Sequence, residues 1–174
     1  MAVIASLSAT LALISAVIVM FWFYHTREFS GDGTIEDTGF WSYPRYHIRF
    51  PPISLNEPGE HTFSCRGLPP YPLTFKLMIV GKGQREQLLA VKTTVHLEWS
   101  DGAGQTICQA VGPLHDWVVC SSVVEDYYWH KNSRDITVRR GRQYRLRMIV
   151  KDVDADSPPL SVEPMLVGGG NELP

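Results

Sequence analysis

The chain has 174 residues, with 16 Lys and Arg against 18 Asp and Glu, a net charge of −2 and a pI near 6.3. That balance lacks the strongly basic domain or stripe that marks nonspecific nucleic-acid binding, so nucleic acid is not an expected partner. Setting aside an apolar N-terminal run, about 150 residues remain, enough for one domain with a proper core and too few for two.

That run, Ala2 to Tyr24, contains no Asp, Glu, Lys, Arg, Pro or Gly and closes on Phe21, Trp22, Phe23 and Tyr24. As a helix rising ~1.5 Å per residue it covers about 34 Å, slightly more than the ~30 Å hydrocarbon core of a bilayer. Trp22 and Tyr24 are the expected interface anchors, because each puts an apolar ring in lipid and a polar tip among headgroups. A cleaved secretory signal is the competing reading. Such a signal has a shorter apolar stretch, a basic N-terminus and small residues at the cleavage site, none of which is present here. Near the exit, Arg27 is the sole basic residue before Arg45. The orientation read from this is N-terminus inside and the large domain outside, periplasmic or extracellular.

The boundaries read from the chain are an anchor over 1–25, a juxtamembrane linker over 26–44, a β-sandwich over 45–167 and a flexible tail over 168–174. Gly31, Gly33 and Gly39 break any periodicity in the linker, which as a flexible coil would span roughly 20–25 Å. The aromatic patch Phe40, Trp41, Tyr43 and Tyr46 is expected to dock on the folded domain, with the membrane interface as the second choice.

Beyond Tyr46, short alternating or apolar stretches separated by turn residues predict strands, and no ten-residue window is convincingly amphipathic as a helix. Tyr46–Phe50 and Ile53–Leu55 are split by Pro51–Pro52, which points to an edge or a corner. Glu60–Arg66 follows, and then Leu73–Ile79, where Leu73, Phe75, Leu77 and Ile79 alternate with Thr74, Lys76 and Met78. In the next segment Val91, Val95, Leu97 and Trp99 oppose Lys92, Thr94, His96 and Glu98, the pattern of a half-buried strand. After the turn at Asp101–Gly104, Thr106–Val111 and Trp117–Val123 are expected to form a hairpin through Gly112–Pro113, both strands being apolar on both faces. Val124–His130 fits a short helix or a strand. Ile136 and Val138 make a short strand. Tyr144, Leu146, Met148 and Val150 make a half-buried one with Arg145 and Arg147 facing out, and Leu160–Val167 is the last. The fold class expected is all-β: about eight or nine short strands in an antiparallel two-sheet sandwich, preceded by a single transmembrane helix.

The proposed hairpin would bring Cys108 opposite Cys120, so these two are the candidate disulfide in an oxidising compartment, leaving Cys65 unpaired. Three buried reduced thiols are the alternative. Asp152, Asp154, Asp156 and Glu163 copy positions 1, 3, 5 and 12 of an EF-hand loop, a pattern of hard oxygen ligands for calcium. Ser157 stands where the loop needs Gly, two prolines follow, and the competing reading is a solvated acidic turn. Just before them lie Arg139, Arg140, Arg142, Arg145 and Arg147. Guanidinium forks suit phosphate, sulfate or carboxylate, so these are the candidate ligand-binding residues, toward anionic lipid, a surface polysaccharide or an acidic protein. Nearby acids and an ordinary solvent face compete with that reading.

No catalytic residues are assigned, since no H-E-x-x-H, G-x-S-x-G or phosphate-loop pattern occurs among the motifs searched. No cofactor beyond the calcium pattern is implied. The function expected is a single-pass, membrane-anchored binding or interaction module on the non-cytoplasmic side, meeting a protein or a cell-surface polymer. Two alternatives stand beside it: an anchored hydrolase of cell-envelope or carbohydrate material, using for example Cys65 or Cys120, and a structural subunit of a membrane assembly.

Overall fold

The computed structural model describes residues 11–18, 28–37, 46–69, 71–81, 89–121, 126–133, 135–153, 156 and 159–169. Twelve strands are named in chain order: β1 Ser30–Gly31, β2 Thr34–Asp37, β3 Tyr46–Arg49, β4 Ile53–Ser54, β5 Gly59–Arg66, β6 Leu73–Ile79, β7 Thr94–Asp101, β8 Thr106–Pro113, β9 Val118–Ser121, β10 Asp126–Trp129, β11 Gln143–Lys151 and β12 Ser161–Gly168.

They form two antiparallel sheets. The five-stranded sheet runs β1-β5-β11-β7-β8; the seven-stranded sheet runs β2-β3-β12-β6-β10-β9, with β4 also on β12. Leaving aside the short β1, β2, β4 and β9, successive strands alternate between the sheets except that β7 and β8 pair directly. This interleaving is a jelly roll, which wraps paired strands around one core. The core lies between the sheets and includes fully buried Trp99, Tyr128, Phe50, Phe75, Leu97 and Leu114.

Local chemistry explains most of the elements. In β11 the buried positions Tyr144, Leu146, Met148 and Val150 alternate with outward ones, so period-two alternation selects one face for the core. At the β7–β8 turn the Asp101 carboxylate accepts the backbone N–H groups of Ala103 and Gln105 at 3.0 and 2.9 Å, closing a tight loop. Pro51–Pro52 falls where β3 and β4 change register on β12: Arg49 faces Met165, but Ile53 faces Val162. The extra residue is a bulge, which is where prolines without ladder donors are tolerated.

Four expectations need correction. The hairpin of 106–111 with 117–123 does not form. Pro113 ends β8, and a 3₁₀ turn, Leu114–Asp116, buries Leu114 and carries the chain into the other sheet. Consequently β8 pairs β7 while β9 pairs β10, each at the outside of its sheet's strand order. The Cys108–Cys120 disulfide falls with it, and all three cysteines are free thiols.

The second concerns the linker. Residues 28–37 are not a loose coil: β1 pairs with Arg66 and Cys65 of β5, and β2 pairs with β3. Gly31 (φ 132°) and Gly67 (φ 74°) let backbones approach where a side chain would collide. Gly31 and Gly33, expected in a flexible linker, are close-packing sites. Residues 38–45, including Phe40, Trp41 and Tyr43, lie outside the described residues, whereas Tyr46 is a core residue.

Third, β6 is buried on both faces. Met78 joins Met165 and Val167 in a second cluster with Tyr127, and the Lys76 ammonium sits 4.3 Å from the Tyr127 ring centroid. Fourth, Gly168 belongs to β12 and is packed against the Tyr46 ring. At the N-terminus, residues 11–18 are helical, with Leu11, Leu13, Ile14 and Val17 exposed. Among the described residues no helix is long and apolar enough to cross a membrane, and Trp22 and Tyr24 lie outside them.

Candidate functional site

The strand that carries the arginines is fixed at its start by Tyr144. Its hydroxyl accepts the Arg139 backbone N–H and faces the Arg139 carbonyl at 3.3 Å, and Arg142 N–H reaches the same carbonyl, also at 3.3 Å. This is the bond pattern of a tyrosine corner, in which a buried ring anchors the loop entering its own strand. With Gly141 at φ 72°, the segment turns sharply and presents Arg139, Arg140 and Arg142 to solvent.

The five predicted arginines therefore separate into two groups. Arg139, Arg140 and Arg142 lie in the turn, and Arg140 grips Glu28 with two bonds of 3.0 and 2.8 Å. Arg145 and Arg147 point outward from β11, on the open face of the five-stranded sheet.

On that face Arg147 lies opposite Glu98 of β7 and diagonal to Glu60 of β5. Its guanidinium donates to both Glu60 oxygens at 2.7 and 2.9 Å and comes within 3.7 Å of Glu98. The Arg147 hydrogen bond holds the Glu60 carboxyl below its usual range, and Glu60 in turn raises Arg147. Glu98 also accepts from the Thr106 hydroxyl at 2.7 Å, and His96 lies 2.7 Å from the Gln109 amide. The result is a ladder of exposed donors and acceptors held in register by rigid strands. With one guanidinium between two carboxylates, the centre of this ladder carries one more negative than positive group. Arg145 enters no ion pair among the described residues.

The predicted calcium ligands are not assembled by the described residues. Asp152 ends beyond β11 with φ 47°, Asp154 lies outside the described residues, and Asp156 is exposed. Glu163 is on the other sheet, where Arg49 holds it at 3.3 Å while also approaching Glu36 at 3.5 Å. No group of three His, Cys, Asp or Glu among the described residues could hold a metal ion.

Burial pushes the Cys65 thiol up to about 12 and raises Cys108 as well, so neither supplies a thiolate at neutral pH. The Cys108 thiol lies 2.9 Å from the Asn132 carbonyl, tying β8 to the 3₁₀ turn Lys131–Ser133 after β10. Burial and the neighbouring Lys131 lower the His130 pKa, and its ring packs on Trp117 with centroids 5.3 Å apart. These groups serve packing.

Period-two alternation puts His96 and Glu98 on one face of β7, but which strand lies beside them, and so their neighbour Arg147, is non-local and not written in that alternation. Glu60 and Glu28 were missed as partners for the same reason. No protein-family model matches the chain, and a search of curated proteins finds no match.

Proposed function

We propose that this protein is a membrane-anchored binding module. In this reading Ala2–Tyr24 spans the bilayer with the N-terminus inside, and the β-sandwich stands on the outer side to engage a protein or surface polymer. The observation that carries it is the open face on which Arg147 is braced between Glu60 and Glu98 beside Arg145. Pre-ordered polar groups lose little freedom on binding, so such a face favours recognition. The ordered segment after Glu28 shortens the tether, which keeps the domain close to the membrane and raises its effective concentration for partners there.

The experiment is purification of the full chain from detergent-solubilised membranes, beside an Arg147→Ser variant. A protein or polysaccharide retained by the wild type and lost from the variant supports the reading. Identical retention by both removes this face from it.

A further inference from the structure

Glu28 is four residues beyond Tyr24, where the predicted span ends, so their Cα atoms are at most ~14 Å apart whatever the path between them. Residues 28–37 are fixed to the domain. Arg140 holds the Glu28 carboxylate at two points, Ser30 and Gly31 pair with Arg66 and Cys65, and Gly67 packs beneath the Glu28 carbonyl.

The end of the sheet fixed in this way is also its most basic. Gln143 faces Arg66 across the β11–β5 ladder, Arg145 faces Ser64 two positions on, and Arg139 closes the turn with Arg142. Arg139, Arg142 and Arg145 enter no ion pair among the described residues, and Arg66 spends its Nε on the Ser30 hydroxyl at 2.8 Å. Of the carboxylates nearby, Glu28 is paired with Arg140, whereas Asp32 accepts the Ser64 N–H at 2.8 Å and Asp101 the N–H groups of its own turn, neutral donors that do not offset a carboxylate's charge. Five guanidinium groups, those of Arg66, Arg139, Arg140, Arg142 and Arg145, thus stand against the three carboxylates of Glu28, Asp32 and Asp101, a surplus of two positive charges at the end of the domain nearest the predicted membrane exit.

We infer that Arg66, Arg139, Arg142 and Arg145 form a binding surface for the phosphate groups of anionic phospholipids. This rests on the anchor reading above, which brings the patch to the bilayer. Guanidinium forks match phosphate oxygens in geometry and charge. Basic groups held within about a Debye length, ~8–10 Å, of a leaflet that carries anionic lipid on the domain's own side of the membrane are attracted to it. Here the Glu28–Arg140 pair and the β1–β5 pairing tie this end of the domain to the predicted exit, while Arg147, opposite Thr62 and further along the same face of β11, lies farther from it.

The test uses the full chain in nanodiscs of phosphatidylcholine alone and of phosphatidylcholine with phosphatidylglycerol. Guanidinium groups are labelled with phenylglyoxal and mapped by peptide mass. Labelling of Arg139, Arg142 and Arg145 is expected to be several-fold slower in the phosphatidylglycerol discs, with the difference lost in high salt and Arg147 labelled alike in both. Equal labelling of the three in both discs overturns the lipid surface while leaving the anchor standing. Alkaline carbonate extraction of the native membrane is the separate check on the anchor: retention of the chain supports it, and release overturns both the anchor and this inference.

Discussion

The Tyr144 ring stacks on Trp99 with centroids 5.4 Å apart and planes 9° from parallel, while its hydroxyl engages the Arg139 backbone. One side chain thus joins the core between the sheets to the loop that carries the arginines. Tyr144→Phe keeps the stack and removes the corner bonds, which is expected to cost ~1–2 kcal/mol of stability. Tyr144→Ala also leaves a void beside Trp99 and is expected to cost ~3–5 kcal/mol. Urea unfolding of the full chain in detergent, followed by Trp fluorescence, measures both. A Phe variant as stable as wild type would remove the corner's role.

Gly67 has φ 74°, and a Cβ there would overlap the Glu28 carbonyl. Gly67→Ala is expected to cost ~1–3 kcal/mol and to loosen β1 from β5. Hydrogen exchange at Ser30 and Gly31 reads the second effect directly. Exchange as slow as in wild type would mean that the segment is held in some other way.

Stability is expected to fall in alkali. Burial raises the Cys65 thiol from 9.0 to about 12, so between these values the folded state holds a proton that the unfolded chain has released. This contribution is fully present below pH 9 and is lost as pH rises toward 12, with a slope of at most ~1.4 kcal/mol per pH unit. The phenols of Tyr46 and Tyr128 are also raised by burial and add to the decline at higher pH. Cys65→Ala is expected to flatten the profile just above pH 9, as measured by unfolding midpoints across pH. Because the three thiols are free, the intact mass is expected to be the same before and after reduction.

Arg147→Ser is expected to leave the unfolding midpoint almost unchanged, because exposed ion pairs contribute little to stability. Its consequence belongs to binding. Since the Arg147 hydrogen bond holds the Glu60 carboxyl low, the Glu60–Arg147 pair stays charged into mildly acidic solution, and partner retention that depends on this pair is expected to persist there. A large drop in stability would show that the pair serves the fold instead.

The sequence by itself determined what is local. Alternation along Tyr144–Val150 and Val95–Trp99 marks strands and their buried faces, and Asp101 and Gly141 mark turns; all of these stand in the structure. Pairing is another matter, since the same alternation fits any neighbour. The hairpin between 106–111 and 117–123 was reasonable from spacing, yet burial of Leu114 and the extended conformation at Pro113 send the chain across the core. Glycines in 28–37 looked flexible because nothing in the sequence shows the backbone that packs against them. Likewise, five arginines close in sequence read as one cluster. Only the tertiary structure, by setting Glu60 and Glu98 beside Arg147 and Glu28 beside Arg140, decided which guanidinium groups are neutralised and which remain available.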